Sequence, residues 1–349
     1  MSEILLFFLI LGGLILGHEF GHFLVARARG VRIEEFGLGF PPRLLTLFHA
    51  GGTRFTLNLI PLGGFVRPTG EDDPSVPGGL AGASKRTRTL VLLAGPAANI
   101  VLGFLAFTAA FKFASPDPTR VLVTQVAAGS PAEAAGLQAG DIILSLNGEP
   151  VTGFESLQQG VTQNLDRPIE LEVQRRGATL VLTVTPRSEH PATEGPIGIL
   201  LGNPTQRVGW LSAMGYGGQA IFFQIDNLIH LPARLIQGEI QPEEARVSGL
   251  KGMYDMLVWA GEIDRTAQRP FVTLNLIAVI SVGLAMANLL PFPALDGGRL
   301  VFVAYEAVFR RRIAPRYEGL AHAIGFLLLL ILMAYVNVQD FAHPINLPR

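Results

Sequence analysis

The sequence predicts a polytopic α-helical membrane protein with about four transmembrane helices, one inserted α+β domain and a membrane-associated β-hairpin. Apolar residues make up 49% of the 349 residues and charged residues only 16%, whereas ordinary globular domains carry about 25% charged residues. Four apolar runs are close to or longer than the roughly 20 residues that cross a bilayer core. Between the second and third runs lies a more polar segment with short strand-like patterns.

The four predicted spans are residues 4–25, 89–113, 273 to about 290, and 320–336. A signal peptide is the alternative for the first run, which lacks a positive n-region and a small-residue cleavage site. A further apolar run, residues 210–231, is interrupted by polar side chains, which favours an amphipathic helix in the membrane interface over a fifth span. These polar residues are Gln219, Gln224, Asp226, Asn227 and His230.

Basic residues predict the orientation of the spans, because cytoplasmic loops collect Lys and Arg. They cluster after the first and third spans, so we expect both of these segments inside. Both termini and the segment between the second and third spans are then extracytoplasmic. The basic residues are Arg27, Arg29, Arg32, Arg43, Arg54, Arg67, Lys85, Arg86 and Arg88 in the first cluster and Arg299, Arg310, Arg311, Arg312 and Arg316 in the second.

Net charge and cysteine content exclude several classes of function. The formal charge of −1 argues against a nucleic-acid partner. The chain contains no Cys, which excludes disulfides and thiolate metal ligands, so a zinc site here requires His, Asp or Glu.

Residues 119–202 form the predicted soluble insert between a membrane part at 1–115 and a second membrane part at 203–349. Four β-rich runs, "RVLVTQV", "DIILSLNG", "PIELEVQRRG" and "TLVLTVTP", predict its strands. Ser130 and Pro131 predict the start of a short helix, and Asn147-Gly148 predicts a hairpin turn. The run "GSPAEAAGLQAGDIILSLNG" resembles a PDZ domain in the bacterial arrangement.

The resemblance to PDZ domains implies a peptide-binding groove. Such domains bind extended peptides by strand addition and capture terminal carboxylates with backbone N–H groups. The candidate carboxylate loop is "GPIGILLG", residues 195–202, with Gly198 and Ile199 at its centre. Alternatively, this strand only closes the sheet and the groove blocks access. The similar string "FGLGF", residues 36–40, lies outside the insert and is not interpreted as a PDZ element.

The stretch "HEFGH" inside the first span indicates a metal centre. His18 and His22 are four residues apart, so both lie on one helix face, and Glu19 lies beside them within reach of a metal-held water. Titratable residues inside a span are costly and mark function by default. Interhelical hydrogen bonds are the alternative use. Because catalytic zinc needs three protein ligands, a third must come from elsewhere in the chain.

The run "NLLPFPALDGGRL", residues 288–300, supplies the strongest candidate for that third ligand. Pro291 and Pro293 predict a broken helix, which membrane proteins tolerate only in a protein-lined or wet site. Asp296 follows the two prolines, at the same cytoplasmic depth as the two histidines in the predicted topology. A solvated carboxylate at a helix C-cap is the alternative.

Together, "GHEFGHFLVARARGV", "FGLGFPP", "LAGPAANIVL", the insert and "NLLPFPALDGGRL" resemble the site-2 protease family of intramembrane zinc metalloproteases, in particular the bacterial regulator-of-sigma-E protease branch. The resemblance implies a bacterial inner-membrane protease that cleaves transmembrane segments of pre-trimmed single-span proteins, such as anti-sigma factors or signal-peptide remnants. Its implied site comprises zinc ligands His18, His22 and Asp296, the general base Glu19, and a substrate-side wall of Asn288, Pro291 and Pro293.

The resemblance also implies two supporting features. Gly95, Pro96 and Asn99 would pack the second span against the active-site core, with Asn99 interpreted as an interhelical hydrogen-bonding residue. Residues 51–67 would form a re-entrant hairpin with a turn at Pro61 and Gly63-Gly64, whose edge pairs with an extended substrate strand. A hairpin lying on the membrane surface is the alternative.

Two departures from the family pattern are visible. The run "VSGLKGM" has Leu250 where the family usually has proline, and the insert has room for one PDZ domain, not two. A non-catalytic membrane PDZ adaptor with a decayed protease site is the competing function. That alternative requires a missing ligand or base, and none is missing.

Overall fold

The computed structural model describes residues 3–71, 73–191, 194–240 and 246–345. The chain forms two compact units, Met1–Ala110 with Trp210–Arg349, and Phe111–Gly209. The helices are α1 (Glu3–Ala28), α2 (Lys85–Ala114), α3 (Pro131–Ala134), α4 (Phe154–Gln163), α5 (Trp210–Ile236), α6 (Leu250–Ala267), α7 (Phe271–Asn288), α8 (Asp296–Phe309) and α9 (Pro315–Ala342). The strands are β1 (Ile33–Ala50), β2 (Thr53–Pro68), β3 (Ser115–Pro116), β4 (Val121–Val126), β5 (Ile142–Leu146), β6 (Glu149–Pro150), β7 (Ile169–Arg175), β8 (Ala178–Val184), β9 (Ile199–Gly202) and β10 (Thr205–Gln206).

Four of the described helices, α1, α2, α7 and α9, are long and apolar enough to cross a membrane. They coincide with the four predicted spans, so the expectation of a multi-pass membrane protein is confirmed. Helix α5 is not among the four candidates. It is amphipathic and buries Ala213, Gly217 and Ile221 at four-residue spacing, as the polar residues in its sequence predict.

Helix α2 is the most buried of the four candidate spans, with 50% of its apolar window buried. Small residues let α1 approach it: a Cβ added at Gly21 would overlap the Ala94 carbonyl and lie 2.8 Å from Ala98 Cβ. On another face of α2, a Cβ added at Gly103 would lie 2.8 Å from Val282 of α7. Close packing of this kind drives helix association where lipid removes the hydrophobic advantage. It places α2 between α1 and α7.

The predicted hairpin is longer than expected, and the position of its turn was predicted wrongly. Its strands are β1 and β2, joined at Gly51-Gly52, and residues 63–64 continue β2 instead of turning. Phe36 of β1 pairs with both Phe55 and Val66. The first half of β1 therefore lies between the two halves of β2. A local alternation pattern could not show this, because the pairing joins segments that are distant in sequence.

Helix α6, which the sequence analysis did not predict, begins at the run "SGLKG". The buried carboxylate of Asp340 in α9 accepts hydrogen bonds from the backbone N–H groups of Gly249 at 2.8 Å and Gly252 at 2.9 Å, and from Arg246 at 2.7 Å. Leu250 is the first residue of α6. Proline is favoured at that position because its missing N–H has no helical partner there. A leucine in its place therefore preserves the helix start.

The unit Phe111–Gly209 contains a sheet with strand order β8-β7-β5-β4-β9, with β6 paired to β5. Each of the four strands predicted from the β-rich runs is present. Its core includes Val121, Ile143, Leu157 and Leu171, all at most 1% exposed. Ser130 caps α3 by accepting a hydrogen bond from the Glu133 N–H group. Strand β9 is an edge strand of the described sheet and lies beside α4 across a groove.

Candidate metal centre

Three side chains from distant parts of the chain converge on one point. The Nε2 atoms of His18 and His22 lie 3.1 Å apart, and Oδ2 of Asp296 lies 3.1 Å and 3.3 Å from them. A tetrahedral zinc site with 2.0–2.1 Å bonds has ligand atoms roughly 3.3 Å apart. The three atoms therefore have the spacing of three ligands to one ion, and this group is able to hold one. Helix α1 supplies both histidines on one face, as their four-residue spacing predicts.

Backbone contacts determine which nitrogen of His22 faces this point. Its Nδ1 atom lies 2.7 Å from the carbonyl oxygen of Val91 in α2. A carbonyl only accepts, so Nδ1 carries the proton and the lone pair of Nε2 points toward Asp296 and His18. Metal-binding histidines are usually oriented in this way.

Asn99 has the matching position beside His18. It is 1% exposed, and its amide nitrogen lies 3.4 Å from His18 Nδ1. Its Oδ1 atom has no hydrogen-bond partner among the described residues. A half-turn of the amide exchanges the two atoms, so that Oδ1 accepts from Nδ1–H and the His18 Nε2 lone pair is free for a metal. The backbone oxygen of Asn99 accepts a hydrogen bond from Ser281 of α7 at 2.7 Å.

Gly95 brings α2 directly against the two histidines. A Cβ added there would overlap Nε2 of His22 and lie 2.6 Å from Nε2 of His18. Only glycine leaves room for both ligand atoms and an ion. The expected packing of the "GPAAN" run against the core is thus visible in its glycine and its asparagine.

Asp296 reaches the centre because the helix is interrupted between α7 and α8. Helix α7 ends at Asn288 and α8 begins at Asp296, so the broken helix predicted from the prolines is present. Asp296 is the first residue of α8, which differs from the alternative of a carboxylate at a helix C-cap. A Cβ at Gly297 would overlap the Leu290 carbonyl, so this glycine lets the loop fold tightly onto the new helix.

Glu19 points toward the sheet. Its Oε2 atom accepts a hydrogen bond from the backbone N–H group of Val66 in the second half of β2, at 3.1 Å. Glu19, His18, His22 and Asp296 all line one cavity of about 440 Å³. A carboxylate beside three potential ligands is the arrangement in which a general base acts on water.

The edge of β2 and the loop between α7 and α8 also line this cavity. Residues 64–68 of β2 line one side, and Asn288, Ala294 and Arg299 line another. Asn288 donates from Nδ2 to the Leu284 carbonyl at 3.0 Å. Pro291 and Pro293, which were predicted to form the same wall as Asn288, are not among the residues that line this cavity, and Pro293 lies against Gly325 of α9. The loop contributes Ala294 to the cavity, and the start of α8 contributes Asp296.

The two predicted PDZ residues lie in the unit Phe111–Gly209. Gly198 has a φ of +75° and donates its N–H to the Gly195 carbonyl, while its carbonyl accepts from Ala127. Ile199 begins β9 and lines a groove of about 570 Å³ together with Phe154, Leu157 and Val161 of α4.

Comparison with known proteins identifies the family of this chain. The family model described as peptidase family M50 matches residues 6–332 of the chain. The chain belongs to peptidase family M50. This membership confirms that the chain is a metalloendopeptidase of the site-2 protease family.

Relatives of this M50 peptidase match it over nearly their full lengths. A protein of Rhizobium meliloti with a zinc metalloprotease designation is 31% identical, over 96% of this chain and 95% of that protein. Metalloprotease MmpA of Caulobacter vibrioides is 30% identical, over 95% and 93%. Zinc metalloprotease RasP of Geobacillus kaustophilus is 26% identical, over 97% and 98%.

Some groups around the centre of this M50 peptidase were missed by sequence reasoning. The backbone groups of Val66 and Val91 carry no sequence signal, because any residue supplies an N–H or a carbonyl. Arg67 and Arg299 line the cavity, although the sequence analysis used them only as markers of orientation. Their signal was their position: Arg67 lies near the end of β2, and Arg299 directly follows "LDGG".

Proposed function

We propose that this M50 peptidase is a zinc-dependent intramembrane endopeptidase whose ligands are His18, His22 and Asp296 and whose general base is Glu19. The triangle of ligand atoms, with sides of 3.1, 3.1 and 3.3 Å, carries the proposal. The hydrogen bond from His22 Nδ1–H to the Val91 carbonyl and the contact of His18 with Asn99 support it, because each orients an imidazole with Nε2 toward the same point. The relatives named as zinc metalloproteases support zinc as the metal.

The chain's own groups divide the reaction between them. When bound, zinc polarises a carbonyl and increases the acidity of water. Glu19 accepts the proton of the attacking water and passes it to the leaving amine. The hydrogen bond from Val66 keeps Glu19 at the sheet side of the cavity, and Asn99 and Val91 keep both imidazoles oriented throughout.

The second half of β2 is the proposed docking edge for substrate. Within the described residues it pairs with β1 along one side, while Val66 N–H on the other side reaches Glu19. An extended segment added to this edge would place its peptide bonds beside the base. Helical peptide bonds have their carbonyls hydrogen-bonded, so cleavage requires a substrate helix to unwind into this edge.

The substrate we propose is a single-span membrane protein that has already been trimmed outside, such as an anti-sigma factor or a signal-peptide remnant. The location of the site among four candidate spans supports a membrane-embedded substrate. The basic clusters support an inner-membrane orientation with the termini and the insert outside and the metal centre near the cytoplasmic face. The bacterial relatives support a bacterial inner membrane.

We further propose that the insert is a PDZ domain that binds a peptide terminus. Strand β9 is an edge strand, and an apolar groove runs between it and α4. Strand addition to β9 would place an apolar side chain of the peptide against Phe154, Leu157 and Val161, with the terminal carboxylate at the loop containing Gly198. Loss of peptide binding on replacing Phe154, a groove residue that is 40% exposed, by Asp, measured by calorimetry with an apolar C-terminal peptide, would support this assignment. Unchanged binding would contradict it.

The decisive experiment replaces Glu19 by Gln in the full-length protein. We expect zinc content to stay at one ion per chain and cleavage of a model transmembrane substrate to fall about 10²- to 10⁴-fold, because the base is removed while the three proposed ligands stay. Glu34→Gln, at an exposed position of β1, is the matched control and should cleave normally. Retained cleavage by the Glu19 variant would overturn the assignment. A wild-type protein without zinc or cleavage would favour the adaptor alternative.

A further inference from the structure

Span α9 carries a histidine that the proposed chemistry does not use. His322 lies in the second turn of α9, within a span where a titratable side chain is costly and marks function. Its Nδ1 atom accepts a hydrogen bond from the backbone N–H group of Ala294 at 2.8 Å. Because Nδ1 accepts, this imidazole is held with its proton on Nε2.

Ala294 occupies an unusual backbone conformation. Its φ is +78°, which places it among six described non-glycine residues with positive φ. A side chain with a Cβ disfavours this region, so the surrounding structure must hold it there. Ala294 lies two residues before Asp296 and lines the same cavity. The direction in which Asp296 leaves the loop therefore depends on this conformation.

The contacts of α9 extend to both sides of Ala294. One turn beyond His322, a Cβ added at Gly325 would overlap the Pro293 carbonyl and lie 2.6 Å from Pro293 Cβ. On the other side, the His322 ring lies 5.4 Å from the ring of Phe302 in α8, the helix that Asp296 begins. Helix α9 thus contacts the residue before Ala294 and the helix after it.

We infer that His322 is a positioning residue that holds Ala294 in its left-handed conformation and thereby directs Asp296 toward the two histidines. The inference rests on the proposed ligand role of Asp296. In this role, His322 makes α9 part of the metal centre, although the described residues of α9 contribute no ligand. His322 supplies the acceptor Nδ1, which a leucine of similar size lacks. An asparagine keeps an acceptor at the same place, because its Oδ1 is as many bonds from Cα as histidine Nδ1.

The test compares His322→Leu with His322→Asn in the full-length protein in detergent. Zinc affinity is measured by competition with a chelator, and kcat and KM are measured on a model span. Loss of an outer-shell partner costs roughly 10–100-fold in metal affinity or activity, so we expect His322→Leu to weaken zinc binding about tenfold and to lower kcat with little change in KM. His322→Asn should stay within about threefold of wild type. Phe326→Leu, at an exposed position of α9, is the control.

A second comparison tests the link through Ala294. Glycine adopts positive φ without a steric cost, so the loss of zinc affinity caused by His322→Leu should be smaller in an Ala294→Gly background. Wild-type zinc affinity in His322→Leu, an equal loss in His322→Asn, or an undiminished loss in the Ala294→Gly background would each overturn the inference. These outcomes leave the proposed function intact, since that fails only when the wild-type protein does not bind zinc or Glu19→Gln still cleaves.

Discussion

At the scale of single residues, the proposed metal centre depends on groups that orient the three proposed ligands as much as on those ligands themselves. His22 is oriented by the Val91 carbonyl at 2.7 Å, and His18 lies beside the amide of the buried Asn99. Gly95 keeps the space next to both Nε2 atoms open. Each of these contacts comes from α2. This helix therefore packs directly against the face of α1 that carries His18 and His22.

Gly95→Ala tests the packing of α2 against the two histidines of α1 directly. The added methyl would overlap His22 Nε2, so we expect at least about a hundredfold loss of zinc affinity and of cleavage. Gly283→Ala, also in a membrane helix but with nothing within 4 Å of the added Cβ, is the matched control and should behave as wild type. Zinc content after gel filtration and cleavage of a model span are the measurements. Normal zinc binding by Gly95→Ala would show that α1 and α2 separate easily, which would contradict their close packing at Gly95.

At the scale of helices and strands, carboxylate side chains of one helix accept hydrogen bonds from the backbone N–H groups at the start of another helix. Asp264 of α6 accepts the N–H groups of Val272 and Thr273 at the start of α7, at 2.8 and 2.9 Å. Asp340 of α9 does the same for α6 through Gly249 and Gly252. The first N–H groups of a helix have no partner within it, so a carboxylate there is stabilising. These contacts join α6, α7 and α9.

Replacing Asp340 by Ala tests the junction of α6 with α9. It removes the acceptor for two backbone N–H groups and leaves Arg246 without its carboxylate. Leaving a buried donor without its acceptor costs about 1–3 kcal/mol, so we expect faster hydrogen exchange at the start of α6 and a lower unfolding temperature in detergent. Val338→Ala, which alters an exposed side chain of the same helix, should change neither. Unchanged exchange in the Asp340 variant would contradict a stabilising role.

The secondary structure shows which local patterns are reliable. Apolar length predicted the four spans, and strand alternation predicted β4, β5, β7 and β8, because each element satisfies its own pattern locally. The hairpin turn was misplaced because both halves of β2 pair with β1, so Gly63-Gly64 resembles a turn in sequence while lying within a strand. Helix α8 was missed because its Arg299 was interpreted as part of a basic cytoplasmic loop, and α6 was not predicted because charged residues interrupt its apolar positions.

At the scale of the whole molecule, the chain combines a unit built on membrane helices with the unit Phe111–Gly209, which has a core of its own. In that second unit, Asp141 is fully buried and paired with Arg175, whose Nε and Nη2 atoms donate to its two carboxylate oxygens at 2.7 and 2.6 Å. Burial alone would raise the pKa of this carboxyl. The hydrogen bonds from Arg175 and from the Gln138 N–H group outweigh burial and lower the pKa below its ordinary value.

This pair predicts acid sensitivity of the second unit. A carboxyl whose pKa is lowered by folding stabilises the fold above its unfolded pKa of about 3.9, and this contribution is lost as the pH falls through the folded pKa. The protection of β5 and β7 against hydrogen exchange in the full chain, measured relative to the intrinsic exchange rate at each pH, should therefore fall below about pH 4. Asp141→Asn should cost about 1.5–3 kcal/mol at pH 7 and remove part of the acid dependence. Glu170→Gln, at an exposed position of β7, is the control, and an equal acid response in the Asp141 variant would contradict the assignment.

The sequence by itself determined the membrane class, the four candidate spans, the strands of the insert, the paired face of His18 and His22, and the broken helix before Asp296. All of these follow from local periodicity, composition and chain-breaking residues. Only the tertiary structure decided what surrounds the centre. The partners of Glu19, His22 and Ala294 lie 47, 69 and 28 residues away in sequence. Such contacts depend on how closely two helices or a strand edge approach, and two of the three partners contribute only backbone atoms, which no residue type identifies.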